Sequence, residues 1–180
     1  MKYFLTLIAC AALLSFRHVN DIYSIVFNSI DGTKIDLNQY RGKKMLFIVL
    51  PLSLQDTTVT IGQITQLQAK YQSSLVVVGI PAEEAGFKKG DEDKLKKIYK
   101  DAAANIIIAE GMKVKKGDRQ SALFQWLTSK DKNRHFDQDV QGVGSKFFVD
   151  EKGELYAVMG PRIKLTHPVI DKIVSKTPRQ

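Results

Sequence analysis

The chain has 180 residues, with 27 Lys and Arg against 19 Asp and Glu, which gives a formal net charge of +8. Its one cysteine is Cys10, so the chain forms no intramolecular disulfide and is not a disulfide-stabilised small domain. The basic residues are dispersed and lack interleaved aromatic residues, which excludes nucleic acid as the expected partner.

The first 16 residues have the composition of an export signal. Lys2 precedes an apolar run from Tyr3 to Leu14, and polar residues follow from Arg17 onward. The apolar run is shorter than the about 20 residues that a membrane-spanning helix needs. We therefore predict a signal peptide or lipoprotein leader over residues 1–16 and a single folded domain over residues 17–180.

Cys10 allows three fates for this leader. Leu7–Cys10 fits a lipobox, in which Cys10 would become the acylated first residue of the mature protein. Plain export with cleavage elsewhere and an uncleaved anchor remain open. Each fate predicts an exported body, periplasmic or held as a membrane-anchored lipoprotein, that contacts the membrane only through the leader or a lipid anchor.

The first elements predicted in the folded part form a β-hairpin. Ile22–Phe27 alternates weakly between apolar and polar residues, and Lys34–Leu37 is the expected returning strand. Asp31-Gly32 between them is a strong turn signal. The sequence therefore predicts two short antiparallel strands at the start of the domain.

Two continuous apolar runs follow, Met45–Leu50 and Leu75–Ile80. Such runs are typical of central strands that are covered on both faces. Apolar residues recur at helical spacing between them, at Ile61, Ile64, Leu67 and Tyr71. A strand–helix–strand unit of this kind crosses over right-handed and pairs its strands in parallel.

The second half of the chain adds the remaining elements. They are a helix over Asp91–Asp101, a strand over Asn105–Ala109, a helix over Ser121–Lys130, a hairpin of Lys146–Val149 with Glu154–Val158, and a last helix that starts near Pro168. Thr166 or His167 is the expected cap of that helix. This order predicts an α/β protein with a thioredoxin-like fold, in which a central mixed sheet is flanked by helices.

Three segments resemble the glutathione peroxidase-like (redoxin) family. They are DGTKIDLNQYRGK at Asp31–Lys43, ALFQWLTSK at Ala122–Lys130, and KFFVDEKG at Lys146–Gly153, the last followed by Pro161. They occur in the family's order and spacing, and the resemblance covers about residues 22–175.

The resemblance implies a catalytic tetrad of Cys or selenocysteine, Gln, Trp and Asn. The matching positions of this chain hold Gln55, Glu84, Gly142 and Val143. Gln55 cannot ionise or act as a nucleophile, and a carboxylate at Glu84 would raise the energy of any nearby anion. We therefore expect no catalytic residues.

This pattern implies a pseudoenzyme without cofactors that serves in binding or as a scaffold at the cell envelope. Its partner would be an unidentified envelope protein or a small ligand. An acidic partner would meet Lys88-Lys89 and Lys113–Asp118. The alternative is a thiol-dependent peroxidase or oxidoreductase of the same family, active in peroxide detoxification and the response to oxidative stress with a thiol supplied from elsewhere.

Polar residues after the first core strand form a candidate binding rim. They are Ser53, Asp56, Thr57 and Thr58, joined by Glu83 from the loop after the second core strand. The simpler interpretation is that Asp56 or Thr57 caps the following helix.

Glu83, Glu84 and Asp56 together would suit a hard cation such as calcium, but carboxylates in loops are usually solvated. His18, His135 and His167 are widely separated in the sequence. We therefore expect no metal site.

Overall fold

The computed structural model describes residues 21–100 and 106–176. The strands are β1 (Val26–Asn28), β2 (Lys34–Asp36), β3 (Lys44–Val49), β4 (Leu75–Ile80), β5 (Ile107–Ile108), β6 (Lys146–Val149) and β7 (Leu155–Met159). The helices are α1 (Ile61–Tyr71), α2 (Glu92–Lys100), α3 (Ala122–Thr128), α4 (Lys130–Asn133) and α5 (Pro168–Ser175). Residues 1–16 with Cys10 and the domain's first residues lie outside the described ranges, so the leader and the boundary at residue 17 remain predictions.

The main sheet has five strands in the order β5-β4-β3-β6-β7. β3 pairs in parallel with β4 and antiparallel with β6, so the sheet is mixed, as the sequence predicts. β1 and β2 form a separate two-stranded antiparallel sheet. Among the described residues, no helix is long and apolar enough to cross a membrane.

The central strand β3 is buried along its whole length because both faces of the sheet are covered. Met45, Phe47 and Val49 pack in one apolar cluster, and Leu46 and Ile48 pack in the other. Alternate residues of a strand point to opposite faces, so a strand that serves two cores must be apolar throughout. This requirement explains the uninterrupted apolar run in the sequence.

The last helix, α5, is held at the amino end of β3. His167 caps α5, as one of the two predicted candidates, and its Nδ1 accepts a hydrogen bond from the Val169 N–H at 3.2 Å. At the other end of α5, the buried Lys44 Nζ donates to the carbonyl oxygens of Val174, at 2.6 Å, and Lys176. A lysine in this position offsets the partial negative charge of the helix C-terminus.

The predicted strand over Ile22–Phe27 is wrong in its first half. Residues Ile22–Ser24 form a 3₁₀ turn, and β1 begins only at Val26. The Asp21 side chain accepts a hydrogen bond from the Tyr23 N–H at 3.1 Å and so initiates this turn. Local side-chain capping of this kind competes with strand pairing.

The predicted helix over Ser121–Lys130 is two helices, because Ser129 takes an extended conformation with φ −115° and ψ 120°. Asn133 stabilises the break between α3 and α4. Its amide nitrogen donates to the carbonyl oxygens of Trp126, Leu127 and Phe136, and its Oδ1 accepts from the N–H groups of His135 and Phe136. One buried side chain thus satisfies five backbone groups.

Asn133→Ala is expected to lower the free energy of unfolding by roughly 2–4 kcal/mol, because it leaves buried carbonyl groups without donors. Urea denaturation of the purified domain measures this change. The exposed neighbour Asp131→Ala serves as the control and should change stability by no more than about 0.5 kcal/mol. Equal losses in the two variants would show that the Asn133 bonds contribute nothing specific.

Candidate functional site

Four segments meet at the carboxyl end of β3. The backbone of Val49 exchanges hydrogen bonds with the loop before β6: its carbonyl accepts from the Gly144 N–H at 2.8 Å, and its N–H donates to the Ser145 carbonyl at 3.0 Å. The loop after β4 begins with Pro81 at the same edge of the sheet. The segment after β5 is held to that loop because the Met112 N–H donates to the Pro81 carbonyl at 3.0 Å. The carboxyl end of parallel strands is where α/β proteins place ligands.

These segments enclose a cavity of about 150 Å³. Its walls are mostly apolar and come from Val49, Ala82, Ala85, Val114, Val140, Gly142 and Val143, with Glu84 and Lys115 beside them. The structure therefore brings together three of the four positions predicted to match the lost tetrad, Glu84, Gly142 and Val143. Gln55, the fourth, is exposed and is not among the residues that line this cavity.

The Glu84 carboxylate binds backbone amides. It accepts hydrogen bonds from the Val114 N–H at 3.0 Å and from the Lys115 N–H at 2.9 Å. Partial burial raises the pKa of this carboxyl, but the Val114 and Lys115 N–H groups outweigh burial, so the pKa lies below its usual value. Glu84 is therefore ionised at neutral pH and holds the 83–85 turn against the 113–115 segment.

The backbone at Gly142 also differs from what the tetrad would require. Gly142 has a φ of 129°, a conformation that residues with a side chain rarely adopt. The resemblance implies a tryptophan at this position. A Gly142→Trp replacement alone would be strained at this φ.

The predicted rim residues make contacts within their own loop and with the segment after β7. Asp56 Oδ1 accepts from the Thr58 N–H at 2.8 Å, and the Thr57 carbonyl accepts from Lys164 Nζ at 2.6 Å. Thr58 lies against Gly144, where an added Cβ would collide with its methyl group. Ser53 is half-buried at the start of this loop, and its carbonyl accepts from the Asp56 N–H.

The capping prediction for Asp56 or Thr57 is wrong. Thr60 is the cap of α1, and its side chain accepts from the Gln63 N–H at 3.3 Å. The loop after β3 is longer than the sequence suggested, because Asp56 closes a turn onto Thr58 before the helix begins.

Glu83 lies apart from the other predicted carboxylates. It lines a different cavity of about 300 Å³, together with residues such as Val26, Glu110 and Arg119. Glu84 is bound to backbone amides and Asp56 to its own loop, so the predicted rim does not form one carboxylate cluster. Within the described residues, no group of three or more His, Cys, Asp or Glu side chains is placed to hold a metal ion.

Two residues at this end of the sheet were not predicted from the sequence. Tyr99 of α2 donates its buried hydroxyl to the Pro51 carbonyl at 2.9 Å, and burial raises its pKa. Lys146 is fully buried, and its Nζ donates to the Gly144 carbonyl at 2.5 Å. Burial, with the nearby charge of Lys164, lowers the Lys146 pKa to about 8. Lys146 is the first residue of β6, whose other three residues are apolar. A lysine directly before a buried apolar run was the sequence signal that could have identified this buried amine.

The strand order and flanking helices define a thioredoxin-like fold, and solved structures share it. The structure of T. cruzi GPX1 superposes with a TM-score of 0.63 at 19% identity, covering 85% of this chain and 94% of that one. A thiol:disulfide interchange protein of the thioredoxin family from Chlorobium tepidum TLS superposes with a TM-score of 0.57 at 17% identity, covering 84% and 90%. At these identities the likeness establishes the fold alone.

The sequence model of the glutathione peroxidase family matches residues 22–128, which are more than half of the chain. The chain belongs to the glutathione peroxidase family. Human glutathione peroxidase 2 is 29% identical over 72 residues, which are 40% of this chain and 38% of that protein. The aligned part therefore spans well under two thirds of this relative. The family match ends before Gly142 and Val143.

Glu84→Ala is expected to lower the free energy of unfolding by about 1 kcal/mol near pH 7, because it removes a partly exposed acceptor of backbone N–H groups. The lowered pKa sets the sign of the pH dependence. The contribution is present above about pH 4.5, the usual Glu value, and disappears as the pH falls through the folded-state pKa. Urea denaturation between pH 3 and 7 measures it, and Glu83→Ala is the matched control, with little change expected throughout.

Proposed function

We propose that this chain is a non-catalytic member of the glutathione peroxidase family that is exported and serves in binding or as a scaffold at the cell envelope. The observation that carries the proposal is the chemical content of the cavity at the end of β3. Its described lining offers carbon side chains, an ionised Glu84 and Lys115, with no thiol among them. Reduction of a peroxide by this family's route needs a thiolate nucleophile.

The geometry of Glu84 and Gly142 supports the same conclusion. The Glu84 carboxylate is occupied as a structural acceptor, and Gly142 has a glycine backbone conformation. Both features are what we expect at positions that no longer serve peroxide chemistry. A cavity of this kind suits a small ligand with an apolar body, or an apolar side chain of a partner protein.

The first and last described residues lie at the end of the sheet opposite the cavity, which suits an anchored scaffold. Asp21 pairs with Arg41, just before β3, at 2.9 Å, and the Lys176 carbonyl accepts from Lys44 at the start of β3. Both lie at the amino end of β3, while the cavity lies at its carboxyl end. A leader or lipid anchor ahead of residue 21 would leave the cavity free for a partner.

The purified mature domain is expected to consume hydrogen peroxide and lipid hydroperoxide no faster than its Gln55→Ala variant, with either glutathione or thioredoxin as donor. The assay follows peroxide loss and donor oxidation at the same protein concentration for both proteins. Gln55→Cys runs beside them as the positive control, because a thiol in this exposed turn should react with a thiol-specific reagent and with peroxide. Turnover by the unaltered domain above that of Gln55→Ala would refute the proposal and favour a thiol-dependent peroxidase.

Export is tested separately by fractionating cells that produce the full chain. The expected result is a protein outside the cytoplasm. A Cys10→Ser variant distinguishes the leader's three fates. Loss of membrane attachment and of lipid labelling would indicate an acylated Cys10, unchanged release would indicate a plain signal peptide, and unchanged membrane attachment without lipid labelling would indicate an uncleaved anchor. Retention of the unaltered chain in the cytoplasm would contradict the localisation but would leave the peroxide assay as an independent test.

A further inference from the structure

Lys146 is buried without a counter-charge, and this costs free energy. The residue has no exposed surface, and within residues 21–100 and 106–176 its Nζ contacts two backbone carbonyls, of Gly144 at 2.5 Å and of Gly160 at 3.5 Å. Carbonyl dipoles replace only part of the hydration that an ammonium group loses on burial. The closed structure therefore disfavours the charged form of Lys146 relative to an exposed lysine.

The charged groups around Lys146 do not relieve this cost. Its neighbours across the sheet, Ile48 of β3 and Met159 of β7, are uncharged. The segment after β7 contributes the exposed Arg162 and Lys164, and the Lys164 charge itself disfavours a second positive charge nearby. The loop after β3 contributes Asp56, whose Oδ1 accepts from the Thr58 N–H.

The two carbonyls that hold Lys146 belong to segments that form the candidate site. Gly144 lies in the site loop, residues 141–145, which also carries Gly142 and Val143 of the cavity wall. Gly160 lies in the segment after β7, and the Gln141 side chain packs directly on it. The Lys146 amine therefore lies between the site loop and the segment after β7, and separation of these two segments would expose it to water.

We propose that Lys146 makes the site loop a proton-dependent gate: loss of the Lys146 proton stabilises the closed loop, and protonation favours an open form in which the ammonium is hydrated. The proposal is independent of whether the protein reduces peroxides. It requires only that burial of Lys146 and closure of residues 141–145 are the same event.

The direction of the effect follows from linkage. A lysine exposed in the open form has its usual pKa of 10.5, whereas in the closed form the Lys146 pKa is about 8. The open form therefore binds more protons between these values, so raising the pH favours closure. These two values predict that the ratio of open to closed molecules falls about tenfold between pH 7 and pH 9.

Amide hydrogen exchange of the site loop measures this ratio. The reporter is the Gly144 N–H, which donates to the Val49 carbonyl and is exchange-competent only when the loop opens. After correction for the base-catalysed intrinsic rate, its protection should rise about tenfold from pH 7 to pH 9 at low temperature. The ¹³Cε shift of Lys146 should titrate near pH 8 in the same samples.

Two variants and one control separate the gate from a general effect of pH. Lys146→Met should make the protection of Gly144 independent of pH. Lys164→Gln keeps Lys146 and removes the neighbouring positive charge, so the lower end of the profile should move to higher pH while its upper end stays near 10.5. The variant also removes the hydrogen bond from Lys164 Nζ to the Thr57 carbonyl, so the readout is the pH dependence of protection and not its absolute value. Lys43→Met removes an exposed lysine at the other end of the sheet and should leave the profile unchanged.

Three results would overturn the proposal. They are a Lys146 titration near its usual value, a Gly144 protection that stays constant from pH 7 to pH 9 in the unaltered protein, and an unchanged profile in Lys164→Gln. If Lys146→Met does not fold, the Lys164→Gln profile and the Lys146 titration still decide between the gate and a purely structural lysine.

Discussion

The structure depends on the complete burial of β3 between two apolar clusters. The strand contributes alternate residues to each cluster and pairs with β4 on one side and β6 on the other. At its amino end, Lys44 holds the end of α5, and at its carboxyl end, the Val49 backbone holds the loop that carries Gly142 and Val143. One strand thus fixes both the last helix and the position of the candidate site.

Around the carboxyl end of β3, most polar side chains bind the protein's own backbone. Glu84 accepts from the 114 and 115 amides, Asp56 from Thr58, and Tyr99 donates to Pro51. Buried or partly buried polar groups must find such partners, because the alternative is an uncompensated loss of hydration. These hydrogen bonds hold the loops around the carboxyl end of β3 to one another. Lys146 differs because its carbonyl partners satisfy its hydrogen bonds but not its charge.

The sequence predicted the elements where a single strong pattern decides the structure. The apolar runs at Met45–Leu50 and Leu75–Ile80 correspond to β3 and β4, because alternate residues of a strand covered on both faces enter two apolar clusters. The predictions from the sequence were wrong where a polar side chain binds the nearby backbone. Asp21 does so at Ile22–Ser24, and Asn133 does so at the break between α3 and α4. Such local hydrogen bonds compete with regular structure without altering the apolar periodicity.

By itself, the sequence determined the mixed α/β architecture and the resemblance to glutathione peroxidases, and that resemblance predicts that Gln55, Glu84, Gly142 and Val143 stand at the tetrad positions. These follow from residue identity and order. Only the tertiary structure decided that Glu84, Gly142 and Val143 share a cavity while Gln55 and Glu83 lie outside it. Their proximity depends on how the loops after β3, after β4 and before β6 pack against one another. Only the tertiary structure, likewise, placed the Lys146 amine against two backbone carbonyls, since burial is a property of the packed sheet.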